Sequence, residues 1–269
     1  MGYQANATLK TRGQIVTACF QNVGDNGVYK PGDIKLTGYE NEPGWQDAGH
    51  DCDVTITRID QGGYTMTDEI WLGWVDEYEE GEGWVLGYWY DIVNDQDVDP
   101  ETTEITFDFG EALWLETPDT KKGDEQFALV SSGQVAAKDS SYELVERGNI
   151  AGNPMPVSVK AFDVSLTGYE DVEGWQEAGH DCDVTLTRID QGGYTTTEDL
   201  WLGWVDEYDG EVWSGGFWYD IVNDAEITDE SDIAFLPGEG LWVETPDTKK
   251  GSEVFTLHFP TPLANHEAK

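Results

Sequence analysis

Apolar and polar residues alternate with period two along much of this chain, the pattern of half-buried β-strands. Cys52, Val54 and Ile56 fall on one face of such a segment, and Asp53, Thr55 and Thr57 fall on the other. Thr106-Phe107-Asp108-Phe109 alternates in the same way. Trp89 and Asp91 share a face opposite Tyr88 and Tyr90, while Trp114 and Glu116 share one opposite Leu113 and Leu115. Gly62-Gly63, Gly192-Gly193, Pro118-Asp119, Pro246-Asp247 and Lys122-Gly123 supply turn chemistry between these segments. No long run combines helical period with caps. The pattern predicts an all-β protein built of small sandwiches or barrel-like modules, with about seven short strands in each.

The pattern also occurs twice. Residues 33–80 match residues 163–210 without a gap, with 35 identities in 48 positions. The offset is 130 there, 129 at Trp84 and Trp213, and 128 at Trp114 and Trp242, so each slip is one residue and is expected in a turn. All 12 tryptophans pair: Trp45, Trp71, Trp74, Trp84, Trp89 and Trp114 with Trp175, Trp201, Trp204, Trp213, Trp218 and Trp242. Arg12-Gly13-Gln14-Ile15 matches Arg147-Gly148-Asn149-Ile150, after which the first copy carries a longer loop near residues 22–32. The copies are expected to run from Ala7 to Gly133 and from Tyr142 to Pro260, with Gln134 to Ser141 as a short polar linker. As domains, this divides the chain into residues 1–135 and 136–269, each long enough for its own core.

Composition narrows the partners. Fifty-five acidic residues against 14 basic ones give a formal charge of −41. Such a chain is repelled by phosphate backbones and anionic lipid surfaces, which argues against nucleic acid and membrane-surface binding. No apolar run reaches membrane-spanning length, so membrane insertion is not expected either. The acid excess fits solubility outside the cell, adaptation to high salt, or binding of divalent cations. For the last, Asp95, Asp97 and Asp99 in Asn94-Asp95-Gln96-Asp97-Val98-Asp99 are the candidate metal ligands, with calcium as the cofactor they would admit. That segment lacks the sixth-position glycine of an EF-hand loop, and its counterpart at residues 223–229 keeps fewer acids. Otherwise no cofactor is expected.

Cysteine is sparse: Cys19, Cys52 and Cys182 cannot close an intramolecular framework among themselves. Cys52 and Cys182 are equivalent, and alternation predicts both as small, reduced core residues. Two sharper readings are a disulfide between them, and a zinc site formed where His50-Asp51-Cys52-Asp53 meets His180-Asp181-Cys182-Asp183. The chain opens Met1-Gly2-Tyr3 without a secretory leader, and an extracellular or cell-surface placement is expected with the leader removed.

Serine nucleophile elbows, phosphate-cradling glycine loops and metalloprotease helices are missing from the sequence, and the expected protein is not an enzyme. The alternative is a glycoside-active enzyme drawing its carboxylates from Glu111 and Glu239, Asp91 and Asp220, or Glu116 and Glu244. Tryptophan beside carboxylate also suits passive sugar recognition, because indole stacks on C–H faces while carboxylates accept hydroxyl donors. The candidate ligand-binding residues are therefore Trp89, Asp91, Trp114, Glu116, Trp218, Asp220, Trp242 and Glu244. The competing reading makes these indoles lids on the core or filler between the copies.

Gly148-Asn149-Ile150-Ala151-Gly152-Asn153-Pro154, Pro237-Gly238-Glu239-Gly240-Leu241-Trp242-Val243 and Leu257-His258-Phe259-Pro260 together resemble secreted repeat modules of bacterial surface proteins. Those modules open on a strand ending in Asn-Pro and carry a Gly-Glu-Gly-(Leu/Phe)-Trp-Val strand near their end. The resemblance covers most of the second copy. The first departs from it, with Ala18-Cys19-Phe20 in place of Asn-Pro and Ala112 in place of the last glycine. It implies export and a surface or matrix role, with neighbouring surface proteins, glycan or further copies of the chain as partners, and brings no catalytic residues. The expected function is a structural or carbohydrate-binding repeat, the alternative a self-assembling layer or fibre subunit.

Overall fold

The computed structural model describes residues 3–8, 12–17, 30–38, 51–60, 65–117, 127–145, 147–168, 181–190, 195–208, 213–245 and 254–262. These residues form an all-β protein of antiparallel sheets. The first half contains β1 (Tyr3–Thr8), β2 (Arg12–Thr17), β3 (Ile34–Thr37), β4 (Asp51–Asp60), β5 (Thr65–Glu79), β6 (Gly83–Asp91), β7 (Gln96–Asp97), β8 (Ala112–Thr117) and β9 (Ala128–Gly133). The second contains β10 (Ser140–Leu144), β11 (Arg147–Gly152), β12 (Val159–Lys160), β13 (Ser165–Thr167), β14 (Asp181–Asp190), β15 (Thr195–Tyr208), β16 (Trp213–Asp220), β17 (Ala225–Glu226), β18 (Ala234–Phe235), β19 (Gly240–Thr245) and β20 (Phe255–Phe259). The strands thus outnumber the seven per copy read from the sequence. Most of the surplus is two-residue strands, too short to show a period.

A six-stranded sheet in the order β2-β8-β4-β5-β6-β7 is matched in the second half by β11-β19-β14-β15-β16-β17. A three-stranded sheet β1-β9-β3 is likewise matched by β10-β20-β13. Equivalent residues occupy equivalent register positions: Thr57 lies opposite Trp71 and Trp114, and Thr187 opposite Trp201 and Trp242. The β-bulges recur too, between Thr57 and Ile59 and between Thr187 and Ile189. Both one-residue slips fall in turns. The first lies in the β5–β6 turn at residues 80–82, and the second sets a turn at residues 100–102 against a shorter one at residues 229–230.

The core of each half lies between its two sheets. In the first, Ile34, Leu36 and Leu129 of the small sheet share one buried cluster with Val54, Ile56, Leu72, Trp74, Trp89, Leu113 and Leu115 of the large one. Alternation explains the choice: Val54, Ile56, Leu113 and Leu115 are buried, as their period-two spacing predicts. Trp89 ties the layers together, donating its indole N–H to the Ile34 carbonyl at 2.8 Å, and Trp218 repeats this to Val164 at 2.8 Å. Trp74 meets Trp89 edge-to-face at 5.1 Å, as Trp204 meets Trp218 at 5.0 Å.

Three expectations change. Residues 106–109 do not form a strand: Phe107 is buried in the first core, while Phe109 packs against the second. The first strand of each half begins before the matched segments read from the sequence, at Tyr3 in β1 and Ser140 in β10. The expected linker is not loose. Val135 packs on the first core, Ala136 is buried in the second, and the Thr261 hydroxyl donates to the Ala136 carbonyl at 2.7 Å.

The halves meet through β2 and β11. Ile15, Ala112 and Ile150 are buried together, with Trp114, Trp242 and Ile59 packed around them. The Thr17 amide donates to the Gly238 carbonyl at 3.1 Å, and Val16 makes an isolated bridge to Glu239. On the other side the Tyr142 hydroxyl lies 2.5 Å from the Gly110 carbonyl oxygen and 2.8 Å from that of Gly152. Gly110 and Gly238 are equivalent, as are Thr17 and Gly152, so the contact has an approximate two-fold character. Gly240 permits it: a Cβ there would stand 2.1 Å from Ile15 Cγ2.

Candidate functional site

The structure sorts the eight candidate binding residues into three environments. Trp89 and Trp218 are buried in the core and offer no ring face to solvent. Asp91 and Asp220 share that face, as alternation predicts, and are buried with them. Their carboxylates hold the turns that follow: Asn94 donates its amide to Asp91 Oδ1 at 3.1 Å and its side chain to Oδ2 at 2.7 Å, and Asn223 does the same to Asp220 at 3.1 and 2.7 Å. These four residues build the fold. Sequence spacing could not separate them from surface residues, because tryptophan and aspartate two apart read alike on either face.

Trp114 and Trp242 lie on the opposite face and are half-buried, against the cluster that joins the halves. Trp114 Nε1 donates to Glu116 Oε1 at 3.2 Å; the matching Trp242–Glu244 distance is 3.4 Å, at the long end. Both indoles therefore keep some exposed surface beside a carboxylate, and both also fill the contact between the two halves.

The glycosidase candidates Glu111 and Glu239 are held as ion-pair partners. Arg58 forks onto Glu111, Nε to Oε1 at 2.5 Å and Nη2 to Oε2 at 3.0 Å, with Nη2 also 3.0 Å from the Thr106 carbonyl. Arg188 holds Glu239 in the same position, and Glu239 Oε2 accepts the Leu236 amide at 2.7 Å. Every lone-pair direction used here fixes the loop before β8 or β19, a positioning task for the fold.

The weak metal candidates do not converge. Asp99 caps its own turn, accepting the Glu101 amide and the Thr102 hydroxyl at 2.8 Å each, and these bonds hold its carboxyl below the usual value. Asp95 accepts the Tyr90 hydroxyl at 2.5 Å. Asp97 and Asp99 line an open hollow of about 810 Å3, together with Asp91, Glu104, Asp108 and Arg58. Among the described residues no three His, Cys, Asp or Glu side chains gather to hold an ion. The side chains of Cys52 and Cys182, and all of Cys19, His50 and His180, lie outside the described residues, as do Trp45, Trp175 and the side chains of Trp84 and Trp213.

Sequence reasoning missed the most exposed indoles among the described side chains. Trp71 is 42% exposed and Trp201 46%. Each sits between two buried residues, Ile70 and Leu72 or Leu200 and Leu202, so strand parity alone sends its ring to the outer face. Each stands in one cross-strand row with Thr57 and Trp114, or Thr187 and Trp242. Two strand spacings, about 10 Å, separate the indole-bearing positions.

No protein-family model, curated protein or solved structure matches the chain. Among the described residues no helix is long and apolar enough to cross a membrane.

Proposed function

We propose that the chain is a tandem duplication of one β-sandwich module, residues 1–135 and 136–269, that binds carbohydrate at a cell surface or in an extracellular matrix without acting on it chemically. The observation that carries this reading is the equivalent exposure of Trp71 and Trp201 on a surface otherwise dominated by carboxylates. A large indole left in water at the same place in both copies gives a flat apolar face for a sugar ring, with carboxylates nearby as acceptors. The half-buried Trp114 and Trp242 pack against the cluster that joins the halves and lie outside this proposed face.

A passive role is supported by what the carboxylates already do. A glycosidase needs two of them free to face one scissile bond. Glu111 and Glu239 are bound to arginine, Asp91 and Asp220 to asparagine turns, and Glu116 and Glu244 to indole. The test is a glycan array probed with the intact chain, with and without calcium. Binding to a defined set of glycans, unchanged by calcium and without cleavage, is expected. Binding to none, or release of new reducing ends, refutes the reading.

A further inference from the structure

Resting on the carbohydrate reading, we infer that the two binding sites are the trios Trp71, Tyr90, Asp95 and Trp201, Tyr219, Asp224, and that they take a neutral polysaccharide. Tyr90 stands opposite Gly73 in the β5–β6 ladder, which makes it the diagonal neighbour of Trp71 on the outer face; Tyr219 and Gly203 place it likewise beside Trp201. The intervening glycine carries no side chain, so nothing rises from that position between the two aromatic residues. The Ile92 amide donates to the Trp71 carbonyl at 2.9 Å, and Ile221 to Trp201 at 2.9 Å, fixing the following turn beside each indole.

That turn delivers the polar group. Asp95 and Asp224 have φ of 54° and 56°, the only non-glycine residues with positive φ among the described residues. Aspartate tolerates this left-handed conformation better than most residues, yet the same choice in both copies aims a carboxylate at the same phenol. The Tyr90 hydroxyl donates to Asp95 Oδ1, and Tyr219 to Asp224 Oδ1, at 2.5 Å each. In each trio the exposed aspartate carboxylate can accept a further hydrogen bond from a ligand. Indole, phenol and an exposed acceptor in one patch match a hexose, which offers an apolar ring face and an edge of hydroxyl donors. Val93 and Val222 at the turn tips, 42% and 44% exposed, widen the apolar rim.

Charge decides the class. A formal charge of −41 repels uronate and sulfated glycans, and neutral sugars carry no such penalty. Two equal sites on one chain further favour a polymer over a free sugar, since the second contact becomes intramolecular.

Two double variants of the intact chain separate the possibilities, with a soluble neutral β-glucan and a polyuronate as probes. Trp71→Ala with Trp201→Ala is expected to weaken glucan binding at least about tenfold while melting stays near wild type, because neither ring is in the core. Trp114→Phe with Trp242→Phe, which keeps apolar filler at the seam, is expected to bind nearly as wild type. Binding that survives the first change and is lost in the second overturns the inference while leaving the carbohydrate reading standing. Preference for the polyuronate overturns the neutral class. A wild-type chain that binds neither probe nor any arrayed glycan refutes both.

Discussion

Arg188 grips Glu239 through its Nε, and the same grip recurs between Arg58 and Glu111 in the other half. The glutamate side chains are 7% and 18% exposed respectively. An acid so enclosed depends on its partner, since removing the arginine leaves a charge with little water to replace it. Arg188→Ala is expected to destabilise the fold by about 2–4 kcal/mol and Arg58→Ala by about 1–2 kcal/mol, in line with the difference in burial. Urea denaturation of the two variants checks the order. Equal, negligible losses would show both pairs to be ornamental.

Trp89 and Trp218 are expected to behave as structural residues. Trp89→Ala removes a buried ring and strands the Ile34 carbonyl, for a loss of about 3–5 kcal/mol. Trp89→Phe keeps most of the volume and should cost about 1–2 kcal/mol, mainly the hydrogen bond. Neither should change glycan affinity in the folded fraction, which a titration of the phenylalanine variant measures.

The seam between the halves should be sensitive to one methyl group. Gly240→Ala places a Cβ against both the side chain and the backbone of Ile15, whose carbonyl carbon would be 2.6 Å away. Overpacking of this kind costs about 1–3 kcal/mol. Ile15→Ala in the same chain is expected to recover only part of the loss, because the backbone clash remains. Thermal melts of the single and double variants give the comparison.

Self-repulsion of −41 charges should make the protein more stable as salt rises, since the screening length is already about 10 Å at 0.1 M. A melting temperature that falls toward molar sodium chloride would contradict this. On acidification the chain is expected to precipitate near its pI of about 4.1, where dispersing charge is lost. Asp99 works in the same direction. Its folded pKa lies below the ordinary value, so whatever stability it contributes is present above that value and is lost as pH falls through the folded one. Carboxyl NMR should show Asp99 titrating below the bulk of the exposed aspartates.

Much of the strand architecture was legible because it follows from parity. Val54 with Ile56, and Leu113 with Leu115, point inward as their alternation requires, and the repeated identities reappear as repeated register. Parity could not say whether the face holding Trp89 and Asp91 was wet. Asp91 looked like a surface acid, but its carboxylate is satisfied locally by Asn94, and that bonding lets it be buried. Conversely, the spacing that singles out a tryptophan with a carboxylate two residues further on passes over Trp71, which is followed there by Gly73, although Ile70, Leu72 and Trp74 already assign the opposite face to the core. The seam was invisible for a different reason. Ile15, Ala112 and Ile150 are ordinary alternating residues, and only the meeting of two outer faces buries them.

Stoichiometry is the most direct test of a duplicated, passive sugar-binding module. Calorimetric titration of the intact chain with a short neutral oligosaccharide should give two equal sites per chain, falling to one in Trp71→Ala or Trp201→Ala alone. Absence of binding heat, or a ligand consumed by cleavage during the titration, would contradict the account.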